Sequence, residues 1–207
     1  MARSYAIQNP DQLLENMLTI RSILSEGGVR CFLHFGTLLG AIREKGFIPH
    51  DDDADLGVFG NDYDALLALI PKICAAGFSF NSQRGGRLLQ FVRNDEQVDL
   101  FVAYSKKSLI GRRWAIDERT TVPGSWLDTL VPIDFYGNPF LVPVKPERLM
   151  RNLYGKTWRI PLKNMPSRTN WTWKIRKIAR QPLKLFFYMG RYLKTQKRKR
   201  RISGDPR

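Results

Sequence analysis

The sequence predicts an α+β domain with a mixed sheet and flanking helices, although the order of elements by itself also admits α/β. Three observations predict it. Apolar residues recur at helical spacing over 11–26 and 62–76. Short β-type runs, bounded by Gly, Asn and Asp, lie between and after them. The resulting order is helix, strand, helix, strand, helix, then several strands. A chain of 207 residues with 43% hydrophobic composition suits one domain with a substantial core and a small extension.

Leu13, Leu14, Met17, Ile20 and Leu24 form the stripe of the first helix, which Gly27 and Gly28 stop. VRCFLHF, 29–35, reads as a strand, Gly36-Thr37 as a turn, and TLLGAIRE as a short helix ending before Gly46. Pro49 keeps the following residues extended. DADLGVF, 53–59, reads as a second strand. Asn61 and Asp64 have the form of a capping box opening the helix of 62–76, with Leu66, Leu67, Leu69, Ile70 and Ile73 as its apolar set. GFSF, GRLLQFVR and QVDLFVAY follow as strands, and LVPIDFYGNPFLVPV as a hairpin around Gly137-Asn138. PERLMRNLYG reads as a helix with Pro146 near its start and Gly155 past its end. Tyr154 and Trp158 read as packing residues, and 105–130 is the least legible stretch.

The net charge of +15 is unevenly spread: residues 171–207 hold 13 of the 34 Lys/Arg and one of the 19 acids, a net of +12, leaving +3 on residues 1–170. The boundary is therefore drawn at 170/171, between a main domain, 1–170, and a basic helical tail, 171–207. In that tail Trp171, Trp173, Ile175, Ile178, Leu183 and Phe186 are interleaved with cations, and Pro182 divides it into two helices. Such a segment can lie on an anionic membrane; the same charge could meet nucleic acid. The N-terminal residues have no apolar h-region, and no run approaches 18 apolar residues, so neither a signal peptide nor a membrane span is predicted. Cys31 and Cys74 read as free thiols in apolar segments, which fits a reducing cytoplasm.

Four aspartates fall within positions 51–55. Asp53 and Asp55 are two apart on a predicted strand, so both face one way while Ala54, Leu56 and Val58 face the core. Paired carboxylates repel and resist burial, and a hard cation between them, magnesium or manganese, removes both penalties. Asp99 is an acid inside the apolar strand QVDLFVAY, and if that strand neighbours 53–59 it completes a three-carboxylate cradle for one or two divalent ions against a di- or triphosphate. Gly36-Thr37 after a strand fits a phosphate-binding turn, and Arg43 or Lys45 could meet phosphates. His50 and Asp52 are placed on the substrate side; His34 reads as a packed residue.

The stretch GTLLGAIREKGFIPHDDDADLGVF resembles the signature of LicD-type phosphotransferases, the family that includes fukutin and fukutin-related protein. Further on, VPVKPERLMRNLYGKTW resembles the second family signature, and the resemblance spans residues 11–165. It implies a nucleotidyltransferase-like fold and transfer of a phosphorylated alcohol, such as phosphocholine or phosphoribitol, from a CDP-linked donor to a hydroxyl of a glycan or lipid-linked glycan. CMP leaves. By the same resemblance Asp53 and Asp55 are metal ligands, Asp99 is a third ligand or the base, and Gly36 and Thr37 face donor phosphates. His50 stands where many bacterial members have Trp, which resembles the fukutin-like branch and leaves the donor open. A lipid-linked acceptor would suit an enzyme of the cytoplasmic face of a membrane. The alternatives are a nucleotidyltransferase acting on a small molecule or RNA, and a non-enzymatic nucleic-acid-binding protein.

Overall fold

The apolar stripe of the first helix is the seed of the core. Helix α1, Pro10–Glu26, starts where Asn9 accepts from the Gln12 N–H, and buries Leu13, Met17, Ile20, Ile23 and Leu24. It lies on the central strand of the sheet and touches α3. The computed structural model describes residues 6–161, apart from Ile110 and Arg119, almost all within the compact unit Met1–Ile160. The basic tail predicted at 171–207 lies outside the described residues.

The remaining elements are β1 (Cys31–Leu33), α2 (Phe35–Arg43), β2 (Ala54–Phe59), α3 (Tyr63–Ala75), β3 (Ser79–Gln83), β4 (Leu88–Arg93), β5 (Glu96–Lys106), β6 (Arg113–Ala115), β7 (Thr121–Pro123), α4 (Gly124–Leu127), β8 (Leu130–Phe135), β9 (Asn138–Pro143) and α5 (Pro146–Tyr154). The main sheet runs β1-β2-β5-β4-β3, with β6 on the far end of β5 and β7 on β6. Among the described residues only β2 and β5 pair in parallel. This is the mixed α+β sheet with flanking helices that the element order predicts. The helix between β2 and β3 and the β3–β4 hairpin supply the long connection that a parallel pair needs.

Register divides the sheet into two faces. Leu56, Leu100 and Leu89 form one cross-strand row, buried in the core beneath α1 and α3. The row beside it, Asp55, Asp99, Gln90 and Asn81, points the other way. On that second face Phe32 lies over Gly57, where a Cβ would stand 2.3 Å from the ring, so only glycine fits beneath it. The β8–β9 hairpin packs on β1, and the Tyr136 hydroxyl accepts from the Phe47 N–H at 3.0 Å, pinning the loop that leads to the aspartates.

Several boundaries differ from those the sequence predicts. The first strand is shorter, because His34 is already the N-cap of α2 and Gly36 and Thr37 belong to its first turn. Asp53 just precedes β2. The Asn61/Asp64 capping box does not form: a 3₁₀ turn, Gly60–Asp62, leads into α3, and the Asp62 N-cap makes no side-chain capping bond. Leu66 and Ile73 are buried there, whereas Leu67 is exposed, because α3 lies on the sheet by one narrow edge. The hairpin turns at Tyr136-Gly137, one residue early, with φ of 54° and 71° at the two central positions. That pair of positive φ values matches the right-handed strand twist. Trp158 is buried and Tyr154 packs against the core, as predicted. Cys31 and Cys74 are free thiols; Cys31 is buried and Cys74 half-buried.

Candidate active site

The parallel β2–β5 pair places Asp55 directly beside Asp99. Both are almost fully buried, at 7% and 4% exposed. Asp53 is half-buried at the mouth of β2, and one carboxylate oxygen from each of Asp53, Asp55 and Asp99 lies within 4.8 Å of the others. Asp51, Asp52 and Asp53 form a second such group. Burial raises the Asp55 pKa well above the ordinary carboxylate range, and the charges of Asp53, Asp51 and Asp99 push it the same way. Burial, followed by the charge of Asp52, lifts Asp51 to about 6. A site that strains against its own negative charge in this way suits a hard divalent cation, and Asp53, Asp55 and Asp99 are the residues that could hold one.

Helix α2 sets the position of Asp55. The Gly36 N–H donates to Asp55 Oδ2 at 2.7 Å, and the Asp55 N–H donates to Thr37 Oγ1 at 2.8 Å. The His34 N–H donates to the Asp55 carbonyl at 3.0 Å. The positive end of a helix dipole therefore meets the carboxylate. Glycine is required at position 36, because a Cβ would stand 2.2 Å from Asp51 Oδ2 and 3.2 Å from Asp55 Oδ2. Thr37 is buried and its hydroxyl is engaged by β2. His34, also buried, stacks against Phe35 with ring centroids 3.9 Å apart, consistent with a packed residue.

Asp99 is held from the side. Gln97 Nε2 donates to Asp99 Oδ1 at 2.7 Å, and Gln90 Nε2 lies 3.2 and 3.3 Å from its two oxygens. Sequence reasoning did not single out either glutamine. Gln97 carried a signal, since it is two residues before Asp99 and therefore on its face; Gln90 carried a weaker one, as the polar residue inside LLQFVR.

The other sequence candidates divide. His50 and Asp52 are exposed beside the acidic run. Asp51 is more enclosed than Asp52 and reaches Gly36. Arg43 and Lys45 lie at and just beyond the far end of α2. Arg43 closes α2, about 12 Å of helix from its first residue, and its guanidinium binds Glu44 Oε1 at 2.5 Å and the Trp158 carbonyl at 3.0 Å. Lys45 is exposed in the following turn with φ 61°.

A mixed sheet with carboxylates on its parallel strand pair, beneath a glycine-bearing helix start, defines the nucleotidyltransferase-like class. The same fold is seen in the solution structure of antibiotic-resistance factor ANT(2'')-Ia, with a TM-score of 0.52 at 15% identity over 93% of this chain and all of that one. Residues 28–145 match the family described as LicD/FKTN/FKRP, nucleotidyltransferase domain, and the chain belongs to that family. It is 31% identical over 157 residues to mouse ribitol-5-phosphate transferase FKTN, covering 73% of this chain and 32% of the relative. It is 29% identical over 153 residues to mouse ribitol 5-phosphate transferase FKRP, covering 69% and 31%. The chain thus spans about a third of the length of these curated relatives.

Proposed function

We propose that the chain transfers a phosphorylated alcohol from a CDP-linked donor to a hydroxyl of a glycan. The observation that carries this reading is the buried Asp55–Asp99 pair, set in register at the start of α2 in a chain of the LicD/FKTN/FKRP family. The relatives named as ribitol-5-phosphate transferases make phosphoribitol the first donor group to try. Asp53, Asp55 and Asp99 would hold magnesium or manganese. When bound, the ion supplies positive charge that offsets the diphosphate and activates it toward attack.

The chain's own residues do the rest. The Gly36 N–H holds Asp55 Oδ2 in place, and the Thr37 hydroxyl ties β2 to the helix. Gln97 and Gln90 hold Asp99 oriented, either as a third ligand or as the group that receives the hydroxyl proton. The acceptor oxygen forms a bond to the phosphorus that bears the alcohol, the bond to the CMP oxygen breaks, and CMP leaves with the electron pair. His50 and Asp52, exposed beside the acidic run, would line the substrate entrance.

The test is CMP release from CDP-ribitol, CDP-choline, CDP-glycerol and CDP-ethanolamine with candidate glycan acceptors, with magnesium or manganese, beside the Asp53→Asn protein. Cation-dependent release that the variant loses supports the reading and names the donor. No release across the panel, together with pyrophosphate release from a nucleoside triphosphate, replaces it with nucleotidyl transfer.

A further inference from the structure

Glu96 is a buried charge that the acidic site does not use. It opens β5, three residues before Asp99, and is only 2% exposed. Period two turns it to the other face of the sheet, beneath α1. Among the described residues no cation pairs with it. A carboxylate in such a place is costly unless hydrogen bonds satisfy it. Its Oε1 accepts from two successive main-chain groups, the Gln8 N–H at 2.9 Å and the Asn9 N–H at 2.6 Å. Asn9 is the N-cap of α1, so these bonds fix the chain where it enters that helix. Two residues earlier the Ile7 N–H donates to the Asp51 carbonyl at 2.7 Å, and Ile7 packs against the core. Residues 7–9 thus form a strap from the start of β5 to the loop before β2. Parallel pairing brings those two strand starts side by side, with Ala54 level with Val98.

Asp53 stands where a tether matters. It precedes Ala54, the first residue of β2 in the ladder, so strand pairing does not hold it. One of its carboxylate oxygens lies within 4.8 Å of oxygens of Asp55 and Asp99, and like charges at that range drive it toward solvent. We propose that the strap holds the acidic loop, residues 51–53, at the site, with Ile7 and Glu96 as positioning residues that act through the main chain of Asp51. Affinity for the cation then depends on a side chain on the far face of the sheet. This inference rests on the reading of Asp53, Asp55 and Asp99 as the cation site, and its test separates the two.

Two readouts on the full chain test it. Hydrogen–deuterium exchange in EDTA reads the loop without a cation, and electron paramagnetic resonance of free Mn2+ reads affinity for the ion. Ile7→Pro removes the N–H that the Asp51 carbonyl accepts, Glu96→Ala removes the anchor, and Glu96→Gln keeps an accepting oxygen. Ile7→Pro and Glu96→Ala are expected to exchange about fivefold faster over 48–54 and to bind Mn2+ about fivefold more weakly, the effect of one lost hydrogen bond. Glu96→Gln should stay within about twofold of the wild type in both. Val142→Ala, fully buried in the β8–β9 hairpin, should lower Tm and leave both readouts unchanged. Should Glu96→Ala not fold, Ile7→Pro, which leaves Glu96 in place, carries both readouts. Unchanged exchange in the strap variants overturns the proposal, as does a Val142→Ala shift equal to theirs. If the wild type binds no Mn2+ while the strap variants still exchange faster, the strap stands and the cation reading falls. If binding is lost in Asp53→Asn yet Ile7→Pro and Glu96→Ala match the wild type, the cation site stands and the strap falls.

Discussion

Replacing Asp51 by Asn should stabilise the fold at neutral pH. The Asp51 carboxylate is wedged against Gly36 and lifted from 3.8 to about 6 by burial and by Asp52. A folded-state pKa above the unfolded value means that the native state holds the proton more tightly. The penalty is therefore absent below about pH 4, grows as pH rises and is complete above about pH 6. Two pKa units correspond to about 3 kcal/mol, and water reaching the half-buried carboxylate reduces this to about 1–2 kcal/mol. Asn keeps the shape and the backbone bond from Ile7 N–H to the Asp51 carbonyl, 2.7 Å, while removing the charge. Urea unfolding of wild type and Asp51→Asn in EDTA, from pH 3.5 to 8, should show the variant more stable above pH 6 and the two converging below pH 4. In a domain of this size the gain corresponds to a Tm rise of about 2–8 °C. A pH-independent difference, or a variant less stable at pH 7.5, refutes the reasoning.

The Asp55 carboxyl is pushed upward by the same causes, so Asp55→Asn should be no less stable than wild type in EDTA; adding magnesium should raise the wild-type Tm and leave the variant's unchanged, and equal shifts would remove Asp55 from the cation site. Asn16, fully buried, donates to the Arg93 carbonyl at 2.9 Å and accepts from Arg93 Nε at 2.8 Å; Asn16→Ala strands these groups and should cost about 2–3 kcal/mol in urea unfolding, with a loss below 1 kcal/mol counting against the network. Deleting residues 171–207 should abolish co-sedimentation with anionic liposomes; unchanged sedimentation sinks the membrane role of the basic tail. Among the described residues no helix is long and apolar enough to cross a membrane.

Much of the acidic site was legible because its signals are local. Period two put Asp53 and Asp55 on one side of a strand, and an acid between Val98 and Leu100 marked Asp99 as anomalous. Helix stripes and glycine stops placed α1 and α5 within a residue or two. Arg43 shows the limit of nearness in sequence. It lies between the glycine turn and the aspartates in the chain, yet α2 carries it to the opposite end of the helix, where the Trp158 carbonyl, 115 residues on, takes its guanidinium. Gly36 shows another: its N–H, read as a phosphate donor, is engaged by Asp55 itself.

The sequence by itself determined the element types, the acidic cluster and the family signature, since each rests on residues within one or two turns or strands of each other. Only the tertiary structure decided that β2 and β5 lie side by side and parallel, that Asp55 stands level with Asp99, and that Gln90 and Asn81 extend the row. Strand neighbours and register are chosen by which apolar faces bury each other across the whole chain, here Leu56, Leu100 and Leu89 beneath α1. That choice sums contacts over long separations, and no short stretch of sequence contains it.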